Sequence, residues 1–314
     1  MDSLTAPGHA REGHHSMNRT LRRTASILSP LVFAGLAFAQ QPAAPAPAAP
    51  AAPAQAAAPK QEGPQFKELT IEGAKPSAAD VLRKHLAATG GEKAWEPKTQ
   101  ARMKGGVEIP AAGLKGTMEM LTLAPSKVLV TMDLPGIGTT RSGCDGTTGW
   151  SIDPMRGPAL MSDAEIGDLL RDANFQRDLA LAKDPGSAEV VGLFEFEGAP
   201  CWRVKVAGSG TKPREMHQFY EKDSGLMRGT AMRVPTPMGE IPAVIEVTKY
   251  KDFGDVKVAT VTTTKVMGQR QVMTIDSVEW TGVDEKAFEL PEEIKALKAP
   301  AAKPTAPAAP PASK

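Results

Sequence analysis

Histidine and cysteine are scarce in this chain, which limits the chemistry that it can perform. Five histidines and two cysteines occur among 314 residues, and three of the histidines lie within the first fifteen positions. His85 and His217 remain, and the sequence has no His-x-x-x-His or Cys-x-x-Cys pair. A protein metal centre takes three or four such ligands. We therefore expect two structural histidines and no metal site.

Other catalytic patterns are also incomplete. No serine is flanked by the glycines of a nucleophile elbow, and Gly136-Ile137-Gly138 lacks the further glycine and the lysine of a phosphate-binding loop. Asp145 and Asp153 offer a carboxylate pair, but an aspartate before a glycine, as at Asp145, is typical of a turn. We expect no catalysis and no cofactor, although an active site assembled from scattered acids would leave no spacing to detect.

The two cysteines are predicted to lie on opposite faces of the strands that carry them. If Trp202, Val204 and Val206 face the core, Cys201 points outward, because neighbouring residues of a strand alternate between faces. Cys144 is expected to point inward. A disulfide is then excluded unless a bulge changes one register.

Methionines are spread over the predicted strands beside few aromatic residues. An unbranched, polarizable side chain suits a surface that accepts flexible chains in several poses, and ordinary core filling is the alternative. The methionines in question are Met118, Met120, Met132, Met216, Met227, Met232, Met238, Met267 and Met273.

Two helical segments and a long run of strands must position these residues. A capping pattern at residues 77–80 predicts a helix that ends at Gly90-Gly91, and one at residues 162–165 predicts a helical pair that continues to Ala182. Alternation with a period of two covers most of the remaining chain. We predict an α+β fold: a large curved antiparallel sheet, a half-barrel of about ten or eleven strands, with helices closing its concave face.

Composition divides the chain into four parts. Seven prolines lie within residues 40–64 and five within residues 300–311, in alanine-rich sequence that cannot build a core. We assign residues 1–39 to an upstream extension and signal peptide, 40–74 to a disordered linker, 75–295 to the folded domain and 296–314 to a disordered tail. The net charge of +1 provides no basic excess for phosphates, which excludes an electrostatic nucleic-acid binder.

The sequence after Met17 is typical of a secretory signal peptide. Arg19, Arg22 and Arg23 precede an apolar stretch over residues 25–38, and small residues occupy the positions that signal peptidase reads. We predict cleavage after Ala39 and a soluble product in the periplasm or another extracytoplasmic compartment. The alternative is an uncleaved segment that anchors the protein in a membrane.

Several short motifs resemble those of the LolA/LolB-like outer-membrane lipoprotein-sorting family. The turn Asp145–Trp150, with Pro154 after it, resembles that family's Asp-Gly-x-Thr-x-Trp turn. Further similar segments are the helix end at residues 85–91, the hairpin at 219–226, the strand pair at 250–258 and the closing segment at 275–291, which ends in Phe-x-x-Pro.

The resemblance implies a half-barrel with a helical lid that binds acyl chains of lipoproteins or other hydrophobic ligands, without a cofactor. The sequence departs from the family at two points. An arginine that locks the lid in the family corresponds to Ala124, before Pro125, and the family's Lys-x-Pro is Lys257-Val258-Ala259. Transfer of lipoproteins in particular therefore does not follow from the resemblance.

We predict a monomeric, non-enzymatic carrier or chaperone that binds a lipid or an acylated protein under the lid, which is residues 162–182. Burial of each ligand methylene group contributes about 0.8 kcal/mol to affinity. The alternative is an interaction or sensor module tethered in the envelope, with a membrane or envelope partner and no free cavity. The residues predicted to line the site are Val128, Val130, Met132, Trp150, Trp202, Val204 and Val206 from the sheet, and Ile166, Leu169 and Leu170 from the lid.

Overall fold

The computed structural model describes residues 63–207, 215–236 and 239–298. The predicted signal peptide and its cleavage site, most of the predicted linker and most of the tail lie outside these ranges. Two short 3-10 helices, Pro110–Ala112 and Glu285–Phe288, occur in the described residues. The α-helices of the same ranges are α1 (Ala78–Ala88), α2 (Glu92–Trp95), α3 (Asp163–Ala173), α4 (Arg177–Lys183) and α5 (Glu292–Lys298).

Fourteen strands of the described residues form one open antiparallel sheet. The first seven are β1 (Glu68–Leu69), β2 (Gln100–Ile109), β3 (Leu114–Leu123), β4 (Lys127–Leu134), β5 (Gly138–Asp145), β6 (Gly149–Asp153) and β7 (Gly157–Leu160). The others are β8 (Glu189–Phe196), β9 (Ala199–Ala207), β10 (Glu215–Glu221), β11 (Met227–Thr236), β12 (Gly239–Phe253), β13 (Val256–Val266) and β14 (Gln269–Glu279).

The sheet consists of two meanders that meet in its middle. Strands β2 to β7 follow one another, and so do β8 to β14, while β14 pairs with β2 and β1 pairs with β8 at one edge. The predicted fold class, a large curved antiparallel sheet with helices, is confirmed. The sheet has more strands than predicted, and β1 and β7 account for two of them, because two and four residues are too few to show alternation.

The predicted capping patterns form as expected. The hydroxyl of Ser77 accepts a hydrogen bond from the Asp80 backbone N–H at the start of α1, and Ser162 and Glu165 form the same capping box at the start of α3. Each box satisfies backbone donors that a helix leaves free at its first turn. The connection between β7 and β8 is therefore helical, as the sequence predicts.

Hydrophobic side chains cover both faces of the sheet. The largest cluster fills the inner face and includes residues of α1, α3 and α4. On the outer face, the C-terminal segment buries Phe288 and Ile294 against β3, β4 and β6, forming a second cluster. The third cluster also lies on the outer face and contains Phe194, Phe196 and Phe219. Burial alone therefore does not identify the inner face of a strand.

Residues that precede position 75, the predicted start of the folded domain, already contact the sheet. Phe66 packs against Phe196 and Phe219, with ring centroids 5.6 and 4.6 Å apart, and β1 extends the sheet beside β8. Both features lie within the range 40–74 that the sequence analysis assigns to a linker. An isolated phenylalanine and a two-residue strand carry no periodic signal, which explains why composition alone placed the boundary later.

Candidate functional site

The lid, which consists of α3 and α4, lies over the inner face of the sheet. Gly149 of β6 allows α3 to approach closely, because a Cβ atom at this position would lie 2.3 Å from Cγ1 of Ile166. The two helices are separated by Asn174, Phe175 and Gln176. Gly149, which holds the variable position just before the tryptophan of the Asp-Gly-x-Thr-x-Trp turn, is thus a point where α3 contacts the sheet.

A cavity lies between α1, the lid and the inner face of the sheet. Its volume is about 80 Å³, enough for a few water molecules or a short piece of an alkyl chain. Its wall is mainly apolar, and its ionisable side chains lie on α1, the lid, β12 and β13. The lining residues are His85, Thr89, Trp95, Met103, Met118, Met120, Asp172, Ala173, Phe175, Asp178, Met227, Tyr250, Lys257, Val258, Ala259, Thr260, Thr262, Met273 and Ile275.

Five methionines form much of the apolar wall. Met103 and Met120 are cross-strand partners on β2 and β3, which places their side chains side by side. Of the nine methionines singled out in the sequence, Met118, Met120, Met227 and Met273 line the cavity, while Met103 was missed. The rest are divided: Met132, Met216 and Met232 fill the core, Met267 is exposed, and Met238 lies outside the described side chains.

His85 joins α1 to α4 at the polar side of the cavity. Its Nδ1 lies 3.0 Å from the carbonyl oxygen of Gly225, and its Nε2 lies 3.2 Å from Oδ2 of Asp178. Each ring nitrogen of His85 therefore faces an oxygen that accepts hydrogen bonds, a carbonyl on one side and a carboxylate on the other. Burial acts to raise the pKa of Asp178, but the hydrogen bond and charge of His85 outweigh it and lower the pKa.

A second charged group occupies the end of α3. Arg171 donates from Nε to Oδ1 of Asp172 at 2.9 Å and also pairs with Asp168. Burial raises the pKa of Asp172 to about 6, and the Arg171 charge opposes this effect. Asp172 lines the cavity and is one of its two carboxylates.

Arg177, the first residue of α4, is completely buried. Its Nε and both terminal nitrogens have no hydrogen-bond partner among the described residues. Burial lowers the pKa of Arg177 to about 9, although the charges of Asp178 and Asp172 favour the protonated form. A buried guanidinium with no acceptor is costly, because its lost hydration is not replaced.

Contacts with α2 hold the lid at one side. Nε2 of Gln176 donates to the carbonyl oxygens of Trp95 and Glu96, each at 3.4 Å. Nζ of Lys183 lies 2.7 Å from Glu92 and 3.2 Å from Glu96. Together with the His85–Asp178 pair, these bonds attach α4 to α1 and α2.

The opposite side of the lid faces the turn between β3 and β4. A crevice of about 30 Å³ separates this turn, which includes Ala124 and Pro125, from Leu170 and residues 173–176. This is where the family resemblance places a lid-locking arginine. Ala124 cannot bridge the crevice, so the lid has no charged contact from residue 124.

Nine of the ten residues predicted to line the site belong to the inner face, although none lines the main cavity. Val128, Val130, Met132, Leu169, Val204 and Val206 are members of the inner cluster, and Ile166, Leu170 and Trp202 pack against it. Val128 and Leu170 border the crevice. The cavity lies instead beside β2, β3, β13 and β14. Alternation along a strand predicts which residues face inward, but it does not predict which strands border the cavity.

Trp150 was assigned to the wrong face. It is buried in the outer cluster with Leu121 and Leu129, beneath the C-terminal segment, and the Arg141 guanidinium lies 5.4 Å from its ring centroid. The prediction placed Trp150 among the residues that line the ligand site. The C-terminal segment provides an apolar surface on the other side of β6, which reverses that inference.

The predicted placement of the two cysteines on opposite faces of the sheet is confirmed. Both cysteines are free in the part of the chain that the structure describes, with Cys144 in the inner cluster and Cys201 in an outer one. The histidines are also apart: His85 lines the cavity, whereas His217 pairs with Glu215 on the face opposite Gln218 and Tyr220. Within the described ranges, no group of three or more His, Cys, Asp or Glu side chains has the arrangement of a metal site.

Sequence reasoning missed the charged residues of the lid, Asp172, Arg177 and Asp178. Such residues are normally the solvated side of an amphipathic helix. One signal was present: Arg177 continues the helical spacing of Leu170 and Ala173, which places it on the apolar side of the lid.

No family model and no curated protein matches the sequence. A search of solved structures finds a LolA superfamily protein from Nitrosomonas europaea, with 11% identity, a TM-score of 0.50, and coverage of 69% of this chain and 99% of that one. A DUF1329 family protein from Desulfovibrio piger has 8% identity and a TM-score of 0.48, and an outer membrane lipoprotein-sorting protein domain from Vibrio parahaemolyticus has 12% and 0.47. Alignments with these two cover 67% of this chain and 95% of theirs.

In the described ranges, the helices are all too short or too polar to cross a membrane.

Proposed function

From this LolA-like fold and its lidded apolar cavity, we propose that the protein is an extracytoplasmic carrier or chaperone for a hydrophobic ligand, a lipid or an acylated protein. The observation that carries the proposal is the cavity wall of five methionines with Trp95 and Phe175. Such a wall adapts to a flexible chain and gains affinity by removing it from water. The proposal includes no catalytic step.

Ligand binding requires movement of the lid. A cavity of about 80 Å³ is too small for a whole acyl chain, so the chain must enter as α3 and α4 move away from the sheet. The lid packs on the inner cluster through apolar residues such as Leu179 and Leu181, and polar contacts attach it to α1 and α2. We propose that these contacts close the lid when no ligand is present.

Native mass spectrometry of protein purified from its own cell envelope tests the proposal. We expect a bound hydrophobic molecule, and uptake of a fluorescent fatty acid by the stripped protein. Consistently empty protein that takes up no fatty acid would contradict a carrier role.

Two alanine substitutions separate the cavity from the rest of the core. Ala259→Leu adds three carbon atoms to the cavity wall and should reduce uptake, because it occupies the available space. Ala231→Leu makes the same change in the outer aromatic cluster and should leave uptake unchanged. Circular dichroism and thermal unfolding of both variants show whether each retains the fold.

The small volume of the cavity supports the second candidate, a tethered interaction or sensor module. Such a protein would use the alanine- and proline-rich segment as a spacer, which extends about 3 Å per residue. Amino-terminal sequencing distinguishes the candidates. A chain that begins at Gln40 supports a diffusing carrier, and a chain that retains residues 17–39 supports the tethered module.

A further inference from the structure

Arg177 has an unusual environment that neither the fold nor the proposed carrier role explains. It is fully buried, and its guanidinium nitrogens have no acceptor among the residues that the structure describes. Buried polar groups in proteins nearly always have a hydrogen-bond partner, and an orphaned one points to a missing water, ion or ligand. A guanidinium offers five N–H donors in a planar array, so the missing group must supply acceptor oxygens.

The neighbouring carboxylates do not fill this role. Asp172 receives its hydrogen bond from Arg171, and Asp178 receives one from His85. Oδ1 of Asp178 has no partner in the described residues either, yet it and Arg177 do not form a hydrogen bond. Arg177 therefore has three unpartnered donor nitrogens, while Asp178 has one unpartnered acceptor oxygen. This excess of donors favours a ligand that accepts hydrogen bonds over one that donates them.

Arg177 lies one layer behind the cavity wall. The residue that follows Arg177, Asp178, lines the cavity, and so does Asp172. The charge of Arg177 interacts with those of Asp178, Asp172 and Tyr220. The ring of Tyr220 lies 5.1 Å from that of His85, another lining residue. Because α4 carries Arg177 on its buried side, a movement of the lid that admits a chain also exposes the guanidinium to it.

We propose that Arg177 binds the headgroup of the ligand and that the ligand is a long-chain carboxylic acid. The carboxylate would accept two parallel N–H···O bonds from the guanidinium, the geometry that arginine forms best with planar oxyanions. The alkyl chain would lie along the methionines of the cavity. This inference rests on the proposed function, because it names the class of ligand that the same cavity takes.

Calorimetric titration of the full chain with three ten-carbon ligands tests the inference. Decanoate, methyl decanoate and decylamine share one chain and differ in the headgroup. We expect decanoate to bind about tenfold more tightly than the ester or more, because a charge-assisted pair replaces an unmet donor. Equal affinity for decanoate and the ester, or tighter binding of the amine, would overturn the inference.

Two variants assign the effect to one residue. Arg177→Met keeps the length of the side chain and should bring the acid-to-ester affinity ratio close to one, while affinity for the ester stays the same. Arg203→Met makes the same change on the outer face, where the guanidinium lies 5.1 Å from the ring centroid of Phe194, and should preserve the ratio. A ratio that persists in Arg177→Met would overturn the inference. Failure of all three ligands to bind would instead contradict the carrier function itself.

A measurement on the unmodified protein covers the case in which Arg177→Met does not fold. The carboxyl carbon of ¹³C-labelled decanoate reports ionisation by NMR. Contact with the guanidinium should lower the pKa of the bound carboxyl below that of free decanoate, because an adjacent cation favours the carboxylate. A bound carboxyl that titrates at or above the free value would overturn the inference.

Discussion

At the scale of single residues, the inner face combines an apolar wall with a few buried charges that determine how stability responds to pH. Asp172 is the clearest case. Its pKa is raised by burial, so the folded state holds the proton more tightly than the unfolded state does. The stabilisation from this proton is fully present below about pH 4 and is lost as the pH rises through about 6.

We therefore expect Asp172→Asn to flatten the pH dependence of the free energy of unfolding between pH 4 and 7. Two pKa units correspond to at most about 3 kcal/mol. Urea unfolding at several pH values, in both proteins, measures the difference. Parallel curves for the two proteins over this range would show that Asp172 does not titrate as described.

His85 gives a second prediction at this scale. In His85→Ala, Asp178 remains buried without its donor, which should lower the free energy of unfolding by about 3 kcal/mol. Lys84→Ala, next to it on the exposed side of α1, should cost less than about 1 kcal/mol.

The double variant His85→Ala/Asp178→Ala should recover part of the loss, because it no longer contains a buried Asp178 carboxylate without its donor. Urea unfolding at pH 7 measures five proteins: the unmodified protein, His85→Ala, Asp178→Ala, the double variant and Lys84→Ala. A double variant that loses the full sum of the single effects would contradict a direct coupling between the two side chains.

At the scale of elements, the lid has polar contacts with α1 and α2 on one side and no charged contact from residue 124 on the other. The ion pairs with α1 and with the end of α2 are made by Asp178 and Lys183 of α4. The crevice beside Ala124 lies between the end of α3 and the turn that joins β3 to β4. The carbonyl groups at the end of a helix attract cations. A cation at position 124 should therefore hold the lid closed.

We expect Ala124→Arg to slow ligand uptake and to stabilise the ligand-free protein by about 0.5–1 kcal/mol. Stopped-flow fluorescence with a fatty acid measures the rate, and thermal unfolding measures the stability. Ala124→Gln has comparable polarity without the charge and should leave the rate close to that of the unmodified protein. Equal uptake rates for the arginine and glutamine variants would exclude this electrostatic lock.

Prediction from sequence was most successful for long elements and least successful for short ones. The capping residues Ser77 and Ser162 located both helical regions, and alternation located the inner faces of β4 and β9, because these signals are local. Trp150 was misplaced because the surface that buries it comes from a segment more than a hundred residues away. Arg177 was missed because its burial depends on how α4 packs on the sheet.

At the scale of the whole molecule, the sheet separates two cores with different roles. The inner core contains the cavity, and the outer clusters are closed by the two ends of the described chain. Changes on the outer face should therefore alter stability without altering ligand binding.

Ile294 tests this separation, since it is fully buried beneath the outer face. Ile294→Ala should lower the free energy of unfolding by about 2–4 kcal/mol, the usual cost of this truncation in a core. Affinity for decanoate, measured by calorimetry below the unfolding transition, should stay within about twofold, because less than 0.5 kcal/mol is transmitted between independent sites. A large loss of affinity would show that the two cores are coupled.

The pairing of β14 with β2 also sets the order in which the protein can mature. These central strands lie more than 150 residues apart in sequence, and the ribosome makes one near the beginning of the domain and the other near its end. Until β14 is available, each meander keeps an unpaired edge in the middle of the future sheet, and such edges invite aggregation. The chain must therefore stay protected, or remain unfolded, until almost the whole domain has been synthesised, which makes it a natural client of holding chaperones.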